Sequence, residues 1–188
     1  MEVSMNRKIV MFMLAAMCLA GAPAFAFVDG ELYGGYNFSG KITSDSSSYD
    51  LKGANYGARF HFTSSGMLFS TGAGLFYQKS PLKLDTAAGK IDTKKTDIGP
   101  DAFARIEIIP VLKPYVRAGL SVYQKVDIDG SSAEKKYFKS YYYGAGLGLA
   151  APTPLLNLMI FGEYLNSRRF SGDKLTLHTI NGGVSIGF

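Results

Sequence analysis

The sequence predicts an all-β protein, an eight-stranded antiparallel up-and-down β-barrel that crosses a membrane with its strands. Three observations carry this. Apolar residues recur with a period of two along most of the chain, the segments with that period number eight, and after the amino-terminal segment no stretch approaches the ~20 apolar residues of a membrane helix.

The amino-terminal segment stands apart from the rest. Arg7 and Lys8 precede an apolar run from Ile9 to Gly21, and the small-residue site Ala24-Phe25-Ala26 follows. This order of charge, apolar run and small residues predicts a secretory signal over 1–26 and a barrel domain over 27–188. Cys18, the sole cysteine, falls within the signal, so the barrel has no thiol for a disulfide or a thiolate metal site. The chain carries a formal charge of +5, and loss of Arg7, Lys8 and Glu2 with the signal leaves +4. That balance is too mild for a nucleic-acid binder.

The strands are expected at about 30–43, 49–62, 67–79, 95–109, 114–128, 137–150, 155–166 and 174–188. In the first, Leu32, Gly34, Tyr36, Phe38, Gly40 and Ile42 alternate with Glu31, Tyr33, Gly35, Asn37, Ser39 and Lys41. In the fourth, Ile98, Pro100, Ala102, Ala104, Ile106 and Ile108 alternate with Gly99, Asp101, Phe103, Arg105 and Glu107. In the fifth, Val116, Ala118, Leu120, Val122, Val126 and Ile128 oppose Arg117, Gly119, Ser121, Tyr123, Lys125 and Asp127. The seventh fits least well, because Met159, Phe161 and Leu165 fall on its polar face. Short turns at 63–66, 109–113 and 151–154 alternate with longer polar connections at 44–48, 80–94, 129–136 and 167–173. Leu82, Leu84 and Ile91 around Ala87-Ala88-Gly89 further suggest that the third and fourth strands project as a hairpin, with an exposed edge that could receive a partner strand.

Charge decides which face closes inward. Glu31, Arg59, Asp101, Arg105, Glu107, Arg117 and Glu163 all fall on the face opposite the apolar one. Turning them inward lets them pair and leaves the outer face to lipid. A tight turn near Pro110 would bring Glu107 to Arg117, with Arg105 and Asp101 extending the same network. Eight strands enclose a lumen just wide enough for side chains to fill, and Gly72, Gly74, Gly144, Gly146, Gly148, Gly183 and Gly187 leave room for Arg and Tyr from neighbouring strands. Aromatic residues are expected at the two interfaces: Tyr36, Phe38, Tyr77, Tyr141, Tyr143 and Tyr164 at the long-connection end, and Phe60, Phe62, Tyr115 and Phe188 at the short-turn end.

With these features the chain resembles the small eight-stranded outer-membrane β-barrel proteins, the group of OmpX, the OmpA membrane domain and opacity-like proteins, over residues 27–188. Its last residues resemble the terminal-strand signal that such proteins present to the outer-membrane assembly machinery, through Asn181, Gly183, Ile186 and Phe188. The resemblance implies a monomer in the bacterial outer membrane, without cofactor, metal or nucleic-acid partner. It implies a non-enzymatic role in envelope structure and surface interaction through extracellular loops, with lipid and lipopolysaccharide as partners and a host or surface ligand at the loops. A narrow porin-like channel and a lipid-modifying enzyme are the alternatives.

Site motifs are few. Tyr143-Gly144-Ala145-Gly146-Leu147-Gly148 lacks the helix a dinucleotide loop needs. The sequon Asn37-Phe38-Ser39 lies within a membrane strand. His178-Thr179-Ile180-Asn181 resembles the His-any-Ser-Asn segment of lipid A deacylases, but Ile180 stands where the nucleophilic serine would be. The basic residues are more informative. Lys79, Lys83, Lys90, Lys94, Lys95, Lys135, Lys136, Lys139, Arg168, Arg169 and Lys174 gather at the long-connection end, where they suit the anionic headgroups of lipopolysaccharide.

Overall fold

A computed structural model describes residues 26–44, 47–66, 68–86, 89–128, 131–151, 156–170 and 174–188; for Ala26, Phe27, Ser44, Ser47, Ile128 and 131–139 it describes the backbone alone. The signal segment to residue 25, with Cys18, lies outside the described residues. The chain forms β1 (Ala26–Ser44), β2 (Ser47–Ser65), β3 (Phe69–Thr86), β4 (Gly89–Ile106), β5 (Leu112–Ile128), β6 (Ser131–Ala151), β7 (Asn157–Arg169) and β8 (Lys174–Gly187). Each pairs antiparallel with its neighbour in sequence, and β8 closes on β1 from Asp29↔Gly187 to Thr43↔Lys174. Closure leaves every strand paired on both sides in the membrane band, as a backbone in lipid requires.

Period-two alternation places Leu32, Leu75, Val116, Leu147, Ile160, Ile180 and Val184 outward, all exposed. Phe60, Phe62, Phe69 and Phe188 ring the short-turn end, and Tyr36, Phe38, Tyr77, Tyr143 and Tyr164 ring the other. Tyr115 departs from the expected belt. It is 5% exposed and points into the lumen, because it shares the parity of Arg117 two residues on. Met159, Phe161 and Leu165 of β7 are buried inside beside Glu163, so that strand obeys the same alternation with a mixed inner face.

The strands run 13 to 21 residues, well beyond the ~9–11 that cross a bilayer. What reads as long connections is mostly strand. Residues 80–86 and 89–94 pair as an extension of β3 and β4, from Ser80↔Lys95 to Thr86↔Gly89, and Ile128 pairs with Ser131. Most of the expected open edge is covered, by β2 to Asp50↔Asp85 and by β5 to Thr93↔Ile128; among the described residues Gly89–Asp92 of β4 pair with β3 alone.

In this extension the faces are exchanged. Lys41, Asp50, Lys52, Lys83, Asp85, Lys90, Asp92 and Lys94 are exposed, while Leu51, Leu82, Leu175 and Leu177 pack inside with Ile42 and Leu84. Such a wall suits water outside rather than lipid. Two irregularities assist the exchange. One extra residue in β1 between Asn37 and Ser39 turns Ile42 inward, contrary to the unbroken alternation the sequence suggests. Another in β5, between Gly119 and Tyr123, turns Gln124 inward.

Candidate functional site: the ion-braced lumen

Five of the seven expected interior ions meet in one cluster. Arg59 of β2 donates to Glu31 of β1 at 3.1 Å and to Glu163 of β7 at 2.6 Å. Arg117 of β5 donates to Glu31 at 2.7 Å and to Asp101 of β4 at 3.1 Å, and its Nε lies 3.5 Å from Glu163. The two guanidiniums thus brace three carboxylates carried on β1, β4 and β7, across the lumen as well as around the wall. All five side chains are buried, at 0–3% exposure. The planar fork of arginine suits this double engagement, which a lysine ammonium would not reproduce.

Further side chains complete the cluster. Tyr115 OH donates to Glu163 Oε2 at 3.0 Å and Asn181 Nδ2 to Oε1 at 2.9 Å. His61 Nε2 lies 2.8 Å from Asp101 Oδ2, with the Phe103 ring edge-on to its own. The Tyr33 ring lies under the Arg59 guanidinium, 3.9 Å from centroid to carbon. Sequence reasoning singles out none of these as a site residue except Asn181, which belongs to the expected assembly signal. Parity is the available signal, since His61 and Tyr33 each stand two residues from Arg59 and Glu31. Towards the extension, Phe76, Tyr142 and Leu165 pack as one layer. Towards the short turns, Tyr115, Met159 and Phe161 join Tyr33 in another.

Glycines make this filling possible. Tyr33, Phe103, Tyr142, Tyr115 and Phe161 lie over Gly57, Gly72, Gly119, Gly146 and Gly183 of the adjacent strand, where an added Cβ would fall 2.3–2.7 Å from the ring or hydroxyl. Gly146→Ala is therefore expected to destabilise the barrel by about 1–3 kcal/mol, since Tyr115 is held by Glu163 and has nowhere to go. Gly148→Ala on the same strand meets the Met159 thioether, which re-rotamerises readily, and should lose less. Urea midpoints of the two refolded variants make the comparison.

Arg105 and Glu107 do not join this cluster, and Glu107 does not reach Arg117. The register sets Phe103 opposite Arg117 and Arg105 opposite Tyr115, so Glu107 lies beyond them at the short-turn rim. There Arg105 and Ser70 donate to Glu107 Oε1 at 2.7 and 2.6 Å, and Lys113 Nζ lies 2.6 Å from Oε2. Partial burial alone would raise the Glu107 carboxyl, but hydrogen bonds from Lys113 and Ser70 and the adjacent Arg105 hold it below the usual carboxylate range.

The basic residues of the extension divide. Lys79, Lys83, Lys90, Lys94 and Arg168 are exposed. Lys95 is not part of the outer surface: it is 6% exposed, inside the mouth, 2.6 Å from Asp97. It shares the inward parity of Thr93 and Asp97, and Asp97 also accepts from Gln124 at 2.9 Å. Arg169 is half-buried and donates to Gln124 Oε1 at 3.3 Å. The side chains of Lys135, Lys136 and Lys139 lie outside the described residues. In the terminal segment Asn181 is buried on Glu163, Gly183 lies under Phe161, and Ile186 and Phe188 face outward. His178 stands outside, with Tyr164 hydrogen-bonded to its Nδ1 and Phe38 nearby. Among the described residues no group of three or more His, Cys, Asp or Glu could hold a metal ion.

Comparison with known proteins agrees with this architecture. The family described as outer membrane protein beta-barrel domain matches residues 12–188. Among solved structures, Neisserial surface protein A is similar at 20% identity and a TM-score of 0.51, over 87% of this chain and 97% of that one. Ail, the attachment invasion locus protein of Yersinia pestis, solved with the heparin analogue sucrose octasulfate, is similar at 20% identity and a TM-score of 0.49, over 86% of this chain and 99% of that one. The comparison with curated proteins gives no match.

Proposed function

From the premise that this chain belongs to the outer membrane protein β-barrel family and resides in the bacterial outer membrane, we propose a non-enzymatic surface barrel. Its lumen is plugged by its own ions, and it acts in envelope structure and surface interaction through its extracellular extension. The supporting observation is the brace: Arg59 and Arg117 each bind carboxylates from more than one strand across the lumen, between two layers of packed aromatic and apolar side chains. A conducting path would have to break these contacts. On the lipid side Ile180 is exposed beside His178 and Asn181 turns inward to Glu163, so the segment resembling a deacylase motif offers no nucleophile.

The extension supplies the surface role. Its exposed Lys79, Lys83, Lys90, Lys94 and Arg168 stand on paired strands, suited to the anionic headgroups of the outer leaflet. Conductance of the refolded protein in a planar bilayer tests the plug: folded protein should leave the bilayer silent, and discrete ion-selective steps altered by Arg117→Ala would establish a pore instead. Removal of residues 80–94 tests the extension. Lipopolysaccharide binding that survives the deletion would defeat that part of the reading.

A further inference from the structure

On β7 the outward residues Tyr164, Asn166 and Arg168 follow one another, and Asn166 is only 6% exposed although it stands on the outer face. Its neighbours cover it. Arg168 Nε donates to Asn166 Oδ1 at 3.1 Å, which turns the amide nitrogen towards β8, 3.2 Å from His178 Nδ1. The Tyr164 hydroxyl meets the same ring nitrogen. An amide nitrogen only donates, so Nδ1 is the acceptor and the imidazole proton sits on Nε2. Among the described residues neither Nε2 nor the terminal nitrogens of Arg168 have a protein acceptor.

β1 forms the other side. Its bulge leaves both Phe38 and Ser39 exposed, with Ser39 in register with His178 and the Phe38 ring 6.2 Å from the imidazole. One row up, Arg168, Thr176 and Lys41 stand side by side on β7, β8 and β1. Strands lie ~4.8 Å apart, so the two cations start roughly 10 Å from each other, within reach of one anion between them. Among the described residues no carboxylate stands on the outward face of β7, β8 or β1; Asp50 stands beyond Lys41, on β2.

Depth selects the ligand. Tyr164 and Tyr36 below belong to the aromatic belt, and Lys41 above stands on the wet wall, so these donors lie at the level of lipid headgroups. Further into the membrane Gly162, Gly182 and Gly34 stand in register, where an added Cβ would meet nothing nearer than 3.7 Å. That recess leaves room for an acyl chain beneath the head.

We propose that this face binds the phosphomonoester of an outer-leaflet glycolipid. Arg168 and Lys41 supply the cations, and His178 Nε2–H and the Ser39 hydroxyl donate to the phosphate oxygens. A phosphomonoester carries a charge of about −1.5 to −2, which two cations balance. The site deepens the reading of the extension as a headgroup-binding surface and rests on it, but its seat is β7, β8 and β1 rather than the lysines of β3 and β4.

The test is native mass spectrometry of the full refolded barrel, released from detergent micelles holding equal amounts of diphosphoryl lipid A, its phosphate-free counterpart and phosphatidylglycerol. The barrel is expected to retain one diphosphoryl lipid A, and excess glucosamine phosphate, which has no acyl chain, should not displace it. Arg168→Gln should weaken retention about tenfold, the scale of one charge-assisted contact. His178→Phe keeps a ring beside Phe38 and Tyr164 but removes the donor, and should weaken it several-fold. Heat-modifiable electrophoretic mobility verifies the fold, and Ser39→Ala with Lys41→Gln, both at exposed positions, tests the same seat from β1. Equal retention of the phosphate-free lipid or of phosphatidylglycerol overturns the proposal. So does wild-type retention by folded Arg168→Gln/His178→Phe and by Ser39→Ala/Lys41→Gln. If Lys83→Gln/Lys94→Gln then abolishes retention, the headgroup reading of the extension stands without this site; if that pair also changes nothing, both fail.

Discussion

Arg59→Met should lower the unfolding free energy of the barrel by about 3–5 kcal/mol, the scale on which removing one partner from a buried ion cluster acts. The side chain is fully buried and engages Glu31 and Glu163 directly, with Asp101 at 3.7 Å. Methionine fills much of its volume but leaves three carboxylates facing one guanidinium. The loss therefore reflects uncompensated buried charge more than lost packing, and a second substitution can distinguish the two. Glu163→Gln in the same chain removes one surplus charge; its single amide oxygen can still accept from Asn181 while its amide nitrogen donates to the Tyr115 hydroxyl oxygen. The double variant should recover part of the stability lost by Arg59→Met alone, giving a coupling of opposite sign to simple additivity. Arg59→Lys should fall between, since one ammonium cannot reach both Glu31 and Glu163 and does not stack on Tyr33 as the planar guanidinium does. Urea titration in lipid vesicles, with electrophoretic mobility as a second probe, reads all three. Equal stabilities of wild type and Arg59→Met would mean that the cluster contributes nothing to holding the barrel.

The membrane band of this barrel is legible in the sequence because parity is unforgiving there. A strand with lipid on one side and a crowded lumen on the other admits one facing, so Glu31, Arg59, Asp101, Arg117 and Glu163 can be turned inward from sequence alone. Their pairing is less legible. Which carboxylate meets which arginine depends on stagger between strands distant in sequence, and the register that sets Phe103 against Arg117 places Glu107 at the rim with Lys113. Parity also marks His61, Tyr33 and Tyr115, but aromatic character suggests an interface for Tyr115 where packing over Gly146 puts it inside.

The extension is hard to read for a different reason. Its charged residues look like loops when lipid is assumed outside, yet Leu82 and Leu84 alternating with Lys83 and Asp85 is the pattern of a strand with water outside. Single-residue bulges are the least visible feature of all. Each reverses the facing of the remainder of its strand without any change in composition, and in this way Ile42 and Gln124 point inward.

This exchange of faces makes the position of the membrane boundary measurable along a single strand. Leu32 of β1 is 65% exposed and faces outward in the band between the two aromatic belts. Leu32→Arg should destabilise the barrel by about 2–4 kcal/mol, the range for a cation at the bilayer midplane. Tyr36, four residues on, lies in the belt, and Tyr36→Arg should cost only about 0–1 kcal/mol there because the guanidinium can snorkel to the headgroups. Beyond the bulge Lys41 is already exposed and charged, so Lys41→Leu should change stability by no more than about 0.5 kcal/mol, as for an ordinary wet surface. The three values read from urea unfolding in vesicles should thus fall steeply from Leu32 to Lys41. If Leu32→Arg were as mild as Lys41→Leu, the outward face of β1 would be in water at both points, and the assignment of lipid to the apolar band would be wrong. If instead Lys41→Leu stabilised the barrel strongly, lipid would reach the extension, and its lysines would lie within the membrane rather than above it.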